Sequence, residues 1–249
     1  MSNLANILKN LEDDEKYYGE YGRQFLSKSD VKSLLYNPAS FKDYKTDSKD
    51  LLLGRYFHTL LLEPHKIGQY LIVDASTRNT NKYKDAVSET GESVLLLKHE
   101  ADQALFMVDC LMGNDEFVKD LRSDGVKYER PGVAEIMGHL WKGKLDIQGP
   151  YDYEYNIDVK TAEKMNRFKW DARDYNYDVQ AYLYREIFGK PLVFWVVDKN
   201  TGLTGKFYTS EEFMAYGKAK VEEAITQYEK FFGFNATEEV EKFYLTETL

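Results

Sequence analysis

The chain has 249 residues, of which 43% are hydrophobic and 30% are charged, and its formal net charge is -9. Composition and length are typical of an ordinary soluble globular protein, and we expect neither a membrane-spanning segment nor a signal peptide. The single cysteine excludes an internal disulfide and favours a reducing, cytoplasmic compartment. The acidic total argues against a broadly basic surface for nucleic acid, although a locally basic site remains compatible with it.

The first quarter of the chain predicts three helices, over residues 3–18, 27–35 and 48–63, and we expect the first to be a peripheral helix with a solvated face. Apolar residues recur at helical spacing in each, and serines stand at the starts of the second and third. In the third helix Gly54 and His58 lie four residues apart and share a face. From spacing alone, His58 is either a core histidine satisfied by one hydrogen bond or a ligand.

Residues 66–75 predict a strand, and a polar loop follows it. Arg78 and Lys82 in this loop are available to phosphates, although a solvated loop is the commoner explanation of such charges. Residues 98–112 predict an amphipathic helix, and residues 114–130 are expected to be linker and turn.

Three short strands are predicted between residues 132 and 163, and they carry acids and a lysine. Asp158 and Lys160 project to one side of their strand, with Val159 pointing away. Asp146 lies one hairpin earlier, so the two aspartates can be neighbours across the sheet. Two carboxylates and a lysine on adjacent strands are typical of a site for a hard divalent cation. A cross-strand salt-bridge cluster is the alternative.

A short basic segment follows the third of these strands. Arg167, Lys169 and Arg173 surround Phe168 and Trp170. Basic residues interleaved with aromatic ones are typical of an edge that binds single strands or a nucleic-acid backbone. A loop packed by its tryptophan has the same pattern.

The last third of the chain predicts a helix over 177–188, strands over 192–197 and 203–208, and then a long helix. Gln180 and Tyr184 share a face of the first helix and are expected to meet a polar group. The order of elements predicts a single α/β domain with a central mixed sheet flanked by helices.

We expect this single domain to cover residues 1–235. Its helical part would be 1–125 and its core, with the acids and lysine, 126–235. Residues 236–249 would form an acidic C-terminal tail.

Four short motifs occur in order on these elements. They are G-R-Y-F-H (54–58), K-G-K-L-D ending at Asp146, I-D-V-K-T (157–161) and Q-A-Y-L-Y (180–184). Together they resemble the PD-(D/E)xK nuclease superfamily, and within it the RecE-like and RecB-like exonucleases of phage and prophage recombination. The resemblance covers roughly residues 25–232 and implies a restriction-endonuclease-like fold.

The resemblance also implies Mg²⁺- or Mn²⁺-dependent hydrolysis of a phosphodiester bond. Asp146, Asp158, the Val159 carbonyl and His58 would hold the cation. Lys160 would orient the attacking water and stabilise the charge that develops on the phosphate. These roles follow from the family's pattern.

The family's remaining site residues are a glutamate, a glutamine and a tyrosine. We assign the glutamate to Glu135, because it lies on a predicted strand, whereas Glu129 lies beside Pro131 in a predicted turn. Glu135 would bind a second cation or help to take a proton from water. Gln180 and Tyr184 would position the DNA strand or tune the site from behind the ligands.

The resemblance finally implies 5′→3′ digestion of double-stranded DNA ends, which leaves a 3′ single strand for an annealing protein. Relatives of this kind are ring-shaped homo-oligomers in the bacterial cytoplasm, and a ring channel could collect basic side chains despite the acidic total. Two alternatives differ in class. One is a non-catalytic nucleic-acid-binding module, and the other is a metal-dependent phosphoesterase with another substrate.

Overall fold

The computed structural model describes residues 3–43, 48–150 and 152–246. Its strands are β1 (Ile72–Val73), β2 (Leu96–Leu97), β3 (Lys127–Ile136), β4 (His139–Gln148), β5 (Asn156–Ala162), β6 (Leu192–Asp198) and β7 (Thr204–Tyr208). Its helices are α1 (Asn3–Leu11), α2 (Asp14–Tyr18), α3 (Glu20–Arg23), α4 (Lys28–Tyr36), α5 (Lys49–Leu62), α6 (Asn81–Thr90), α7 (Lys98–Met112), α8 (Asp115–Arg122), α9 (Phe168–Asp174), α10 (Tyr177–Phe188) and α11 (Glu211–Phe231).

The central sheet has the strand order β3–β4–β5–β6–β7. β3 and β4 form an antiparallel hairpin that turns between Ile136 and His139. β5 and β6 are parallel, and β7 returns antiparallel to β6. Within the described ranges, β4 and β5 pair only at Ile147 and Ile157. The middle of the sheet therefore opens beside this single pair.

Helices cover both faces of the sheet. One core packs α4, α10 and α11 against Phe194 and Val196 of β6, and the other packs α5, α7 and α8 against Trp195 and Val197. β6 serves both cores because alternate side chains of a strand point to opposite faces. Every residue of β6 is buried. These features confirm the predicted α/β fold, and no described helix is both long and apolar enough to cross a bilayer.

Several helix boundaries agree with local sequence signals. Ser27 caps α4 through a capping box with Asp30, and Ser48 accepts the Leu51 N–H at the start of α5. α7 has the predicted bounds. α10 ends at Gly189, whose φ of 77° lies in the left-handed region that glycine tolerates.

Three predictions from the sequence were wrong in detail. Residues 3–18 form α1 and α2, because Asp13 caps a new helix within them. Residues 66–75 contain a 3₁₀ helix and only the short β1. Residues 114–130 contain α8, which Asn114 caps, and the start of β3. The predicted acidic tail extends beyond the described residues, since 247–249 lie outside them.

α10 and α11 cross closely at Gly217, where an added Cβ would lie 2.0 Å from the Asp178 carbonyl oxygen. Gly217→Ala is therefore expected to lower the free energy of unfolding by about 1–3 kcal/mol, the usual cost of overpacking. Gly54→Ala on α5 is the matched control, because its added Cβ would meet nothing within 4 Å. At Gly54 the higher helix propensity of alanine should raise the free energy of unfolding by up to about 1 kcal/mol. Urea unfolding of both variants measures the difference, and equal stabilities would contradict the close crossing.

Candidate functional site

A cavity of about 610 Å³ lies beside the point where β4 and β5 separate. There the Asp146 carboxylate accepts a hydrogen bond from the Val159 N–H at 2.7 Å. A side chain thus bridges the two strands where their ladder of main-chain hydrogen bonds is interrupted. Asp146 and Asp158 flank the Ile147–Ile157 pair and both line the cavity. The sequence prediction that these aspartates are neighbours is confirmed.

α5 brings His58 to the cavity that Asp146 and Asp158 line. Its Phe57 and Leu61 are buried in the core beside α7, which fixes the helix. His58 Nδ1 lies 3.5 Å from a carboxylate oxygen of Asp146. The imidazole is therefore next to the acids, and it is not a core side chain satisfied elsewhere.

Asp158 is almost completely buried and held from two sides. Lys160 forms an ion pair with one of its oxygens, and Gln180 of α10 donates a hydrogen bond to the other at 2.5 Å. Burial opposes the charge on Lys160, but the Asp158 carboxylate outweighs it and raises the pKa of the lysine. Lys160 is consequently an ammonium at neutral pH and cannot serve as a base.

The structure corrects the assignment of the upstream glutamate. Glu135 pairs with Leu140 at the far end of the hairpin and is exposed, so it does not reach the cavity. Glu129 lies on β3, at the position that the hairpin register places opposite Asp146, and it lines the cavity. Ligand atoms of His58, Glu129 and Asp146 lie within 4.8 Å of one another.

Glu129 also has an unusual backbone conformation, with a φ of 47°. A non-glycine residue in the left-handed region costs on the order of 1–3 kcal/mol, and such residues are enriched at functional sites. The backbone therefore holds this glutamate in place at the expense of local stability.

The electrostatics of the cavity favour a bound cation. Burial, and then the nearby Asp158, raise the pKa of Asp146, while burial and Asp146 raise the pKa of Glu129. Carboxylates that repel one another are stabilised by a shared positive charge. Three carboxylates and an imidazole are ligands suited to Mg²⁺ or Mn²⁺. The side chains present therefore fit a divalent metal.

These pKa shifts predict how the stability of the metal-free protein depends on pH. From about pH 4 into the neutral range, the folded chain retains protons on Glu129 and Asp146 that the unfolded chain has released. Stability falls as pH rises wherever the native state binds more protons. Asp146→Asn removes one of the repelling charges while its amide oxygen can still accept the Val159 N–H. In EDTA, the variant should therefore gain stability over the wild type as pH rises from about 5 to about 8.

Urea unfolding at several pH values measures this difference. Asp152→Asn, in the exposed loop before β5, is the control and should change stability equally little at every pH. A stability difference between Asp146→Asn and the wild type that shrinks with pH would contradict the raised pKa of Asp146.

Sequence reasoning missed several basic residues of the cavity. Lys28 at the start of α4 lies 5.1 Å from the centre of the Tyr177 ring, and Lys160 lies 5.0 Å from the centre of the same ring. Burial and the nearby Lys160 lower the pKa of Lys28 to about 8. The cavity is also lined by Lys66, Lys142 and Lys144. Their convergence depends on tertiary packing, and only the serine cap before Lys28 gave a local signal.

The N-terminal segment, predicted as a peripheral helix, lies against the cavity. Asp14 of α2 forms ion pairs with Lys66 at 3.0 Å and with Lys144. Lys142 donates a hydrogen bond to the Tyr17 carbonyl. α2 therefore covers one side of the site and partly neutralises its lysines.

Tyr184 supports β4 from behind. Its hydroxyl donates to the Lys144 carbonyl at 2.9 Å and accepts from the Lys144 N–H at 3.3 Å. Its ring packs on Gly143, where an added Cβ would lie 2.8 Å from it. Of the two motif residues on α10, Gln180 contacts an acid and Tyr184 contacts the strand that carries the lysines.

The predicted DNA-binding residues lie outside this cavity. The Arg78 guanidinium contacts both Glu100 carboxylate oxygens, at 2.6 and 2.7 Å, which corrects its expected availability to phosphates. Lys82 is exposed on α6, and Arg167 lies 3.6 Å from Asp171. A second cavity contains Lys169 and Arg173.

Residues 27–236 match the model of a family described as a PDDEXK-like domain of unknown function (DUF3799). No curated protein matches the sequence. A solved structure from Eubacterium rectale, described as a candidate exonuclease, has a TM-score of 0.60 at 16% identity and covers 95% of each chain. That structure shares the fold. A phage-related exonuclease from Haemophilus somnus 129PT has a TM-score of 0.35 at 13% identity, over 63% of this chain and 88% of its own.

Proposed function

Because the chain belongs to the PDDEXK-like family that its residues 27–236 match, we propose that it is a metal-dependent deoxyribonuclease. The observation that carries this proposal is the convergence of His58, Glu129 and Asp146 in one cavity with Asp158 and Lys160. A salt-bridge cluster accounts for the pair of Asp158 and Lys160. It does not account for Asp146 and Glu129, because burial and repulsion between carboxylates raise the pKa of both.

We assign the metal ligands as Asp146, Asp158, the Val159 carbonyl and His58, with Glu129 as an additional carboxylate. These residues would hold Mg²⁺ or Mn²⁺, which would supply a lowered pKa for a water and positive charge beside the scissile phosphate. Gln180 keeps the Asp158 carboxylate oriented through its hydrogen bond. Burial of Asp158 on β5 fixes the ligands before substrate arrives.

The lysines of the cavity act on the phosphate. Lys160 stays protonated, so it donates hydrogen bonds to the attacking water and to the phosphate oxygens where negative charge develops. Lys28, 5.1 Å from the centre of the same Tyr177 ring, contributes a second positive charge. Water adds to phosphorus as the bond from phosphorus to the leaving oxygen breaks. The proton of the attacking water passes to a carboxylate or to solvent, and the leaving oxygen takes up a proton from solvent.

The specific activity we propose is 5′→3′ digestion of linear duplex ends, which leaves a 3′ single strand for an annealing protein. The motif order of the chain supports this, because it resembles that of the RecE-like exonucleases. We further propose a ring-shaped homo-oligomer acting in the bacterial cytoplasm. In such a ring the cavity lysines would face the DNA although the chain's net charge is -9.

Digestion of linear duplexes labelled at either the 5′ or the 3′ end tests this function. With Mg²⁺, early release of the 5′ label as mononucleotide and retention of the 3′ label are expected. EDTA should stop release. Release of neither label with Mg²⁺ or Mn²⁺ would contradict an exonuclease, as would equally fast degradation of covalently closed circles with internal label.

The two upstream glutamates provide a matched pair for metal binding. Glu129→Gln should weaken Mn²⁺ binding at least about tenfold, because it removes a carboxylate from the cavity. Glu135→Gln, on the same strand but at the exposed end of the hairpin, should leave binding unchanged. Paramagnetic resonance of free Mn²⁺ measures both affinities. A larger loss of Mn²⁺ affinity in Glu135→Gln than in Glu129→Gln would contradict the role of Glu129 and favour Glu135 as the upstream glutamate.

A further inference from the structure

A second cavity of about 580 Å³ lies between α9, β7 and the start of α11. Its inner wall is formed by Phe168, Phe194 and Phe207, and the centroids of the first and last rings lie 4.7 Å apart. Its rim carries Trp170 and Tyr208, whose side chains are 64% and 67% exposed. We call these residues, with the basic side chains described next, the aromatic groove. Its size is that of a small-ligand site.

The charge of the aromatic groove is opposite to that of the whole chain. Lys169, Arg173 and Lys206 line it, and none of the described lining residues carries a carboxylate. Lys206 is fixed by Asp120 at 2.9 Å and by Glu116 at 2.8 Å.

Lys169 and Arg173 make no ion pair within the described part of the chain. Arg173 instead lies 4.8 Å from the centre of the Tyr216 ring. Two uncompensated cations beside exposed rings, in a protein with a net charge of -9, favour an anionic and aromatic ligand.

The groove adjoins the proposed active site through one layer of aromatic rings. The Lys160 ammonium lies 5.0 Å from the centre of the Tyr177 ring. Tyr177 also packs against Phe168 at 5.9 Å and Phe194 at 5.5 Å, and both of these residues line the groove. Tyr175, 59% exposed, packs beside Tyr177 at 5.9 Å. The half-buried Tyr177 ring and the buried rings of Phe168 and Phe194 therefore connect the region of the catalytic lysine to the groove.

We propose that the aromatic groove binds single-stranded DNA next to the active site, with a base stacked on Trp170 and phosphates on Lys169 and Arg173. Unpaired bases expose the flat faces that stack on aromatic side chains, whereas bases in a duplex are stacked on each other. The groove is thus suited to a strand already separated from its complement. This inference rests on the proposed nuclease function, because it places the groove beside that site.

Tryptophan fluorescence tests the groove directly, because the other two tryptophans, Trp141 and Trp195, are buried. Short oligothymidylate is titrated into the full chain in EDTA, so that hydrolysis does not interfere. The wild type should show quenching that is absent from Trp170→Phe. Trp170→Ala, measured by anisotropy of labelled oligothymidylate, should bind at least about fivefold more weakly. Because Trp170 is exposed, both variants should fold.

A charge series gives an independent readout. Lys169→Glu should weaken oligothymidylate binding and reduce its dependence on salt. Lys9→Glu is the control with the same charge change at an exposed position of α1, outside both cavities, and it should have a much smaller effect. Unchanged binding by Trp170→Ala and Lys169→Glu would overturn the proposal and leave a protein segment as the occupant of the groove.

Separate measurements test the proposal that the groove binds single-stranded DNA and the proposal that the chain is a nuclease. Asp158→Asn should abolish hydrolysis but retain quenching of Trp170 by oligothymidylate. If the wild type lacks hydrolysis but shows this quenching, the nuclease proposal fails and the binding site stands. If the wild type hydrolyses DNA but shows no quenching of Trp170, the nuclease proposal stands and the proposed binding site fails.

Discussion

Replacement of Asp158 by asparagine is expected to reduce hydrolysis of linear duplex DNA to background. Asp158 is 1% exposed and ion-paired to Lys160, and it is one of the carboxylates assigned to the metal. Asparagine keeps the size of the side chain but removes its charge, so both the cation and the lysine lose their partner. Nucleotide release from a uniformly labelled duplex in Mg²⁺ measures the effect.

The control for this prediction is Asp152→Asn, the same change in the exposed loop that precedes β5, which should retain full activity. Removing one partner of a buried ion pair costs about 3–5 kcal/mol, so thermal unfolding of Asp158→Asn has to be followed as well. Asp146→Asn separates the two effects, because it should lose activity while gaining metal-free stability. Substantial hydrolysis by folded Asp158→Asn would contradict the assignment of Asp158 to the active site.

Replacement of Lys160 by methionine is expected to lower the rate of hydrolysis by about 10²–10³-fold, the usual cost of removing one preorganised electrostatic contact to a transition state. The methionine side chain matches the lysine stem in length and lacks the ammonium. Mn²⁺ should bind at least as tightly as it does to the wild type, because the change makes the cavity more negative. Activity and metal affinity therefore change differently in this variant, whereas both fall in Asp158→Asn.

Lys164→Met is the control, since Lys164 is exposed just beyond β5. Single-turnover rates at saturating Mg²⁺ make the comparison independent of product release. A loss of Mn²⁺ affinity equal to the loss of rate would contradict a role for Lys160 on the phosphate. It would indicate that the lysine only holds Asp158 in position.

The acid–lysine pair of β5 could be predicted from sequence because strand periodicity alone decides which side chains share a face. Asp158 and Lys160 follow this rule, and the apolar run of β6 indicated its interior position. The two motif helices were also predictable, because serine caps and glycine stops are local signals. In each case the interactions that determine the structure lie within a few residues along the chain.

Glu129 was assigned wrongly because its local sequence is misleading. The neighbouring Pro131 suggested a turn, whereas β3 passes through the proline and brings Glu129 opposite Asp146 with a positive φ. Only the register of the hairpin distinguishes it from Glu135. Register is set by pairing between distant residues, which a single sequence does not specify.

The basic residues of the cavity were missed for a related reason. Lys28, Lys66 and Lys144 lie on three separate elements, and each alone is an ordinary charged residue on a partly exposed surface. Asp14 adds a contact from a segment that its periodicity presents as peripheral. Their convergence in one cavity follows from the way that α2, α4 and α5 pack around the opening between β4 and β5.

We propose that Asp146, Asp158 and their neighbours bind a divalent cation. Crystals soaked in Mn²⁺ and measured near the manganese absorption edge locate this ion by its anomalous scattering. We expect a peak within coordination distance of the carboxylates of Asp146 and Asp158, on the side of His58 and Glu129. An intact cavity without a peak, or manganese bound only elsewhere on the chain, would contradict the claim.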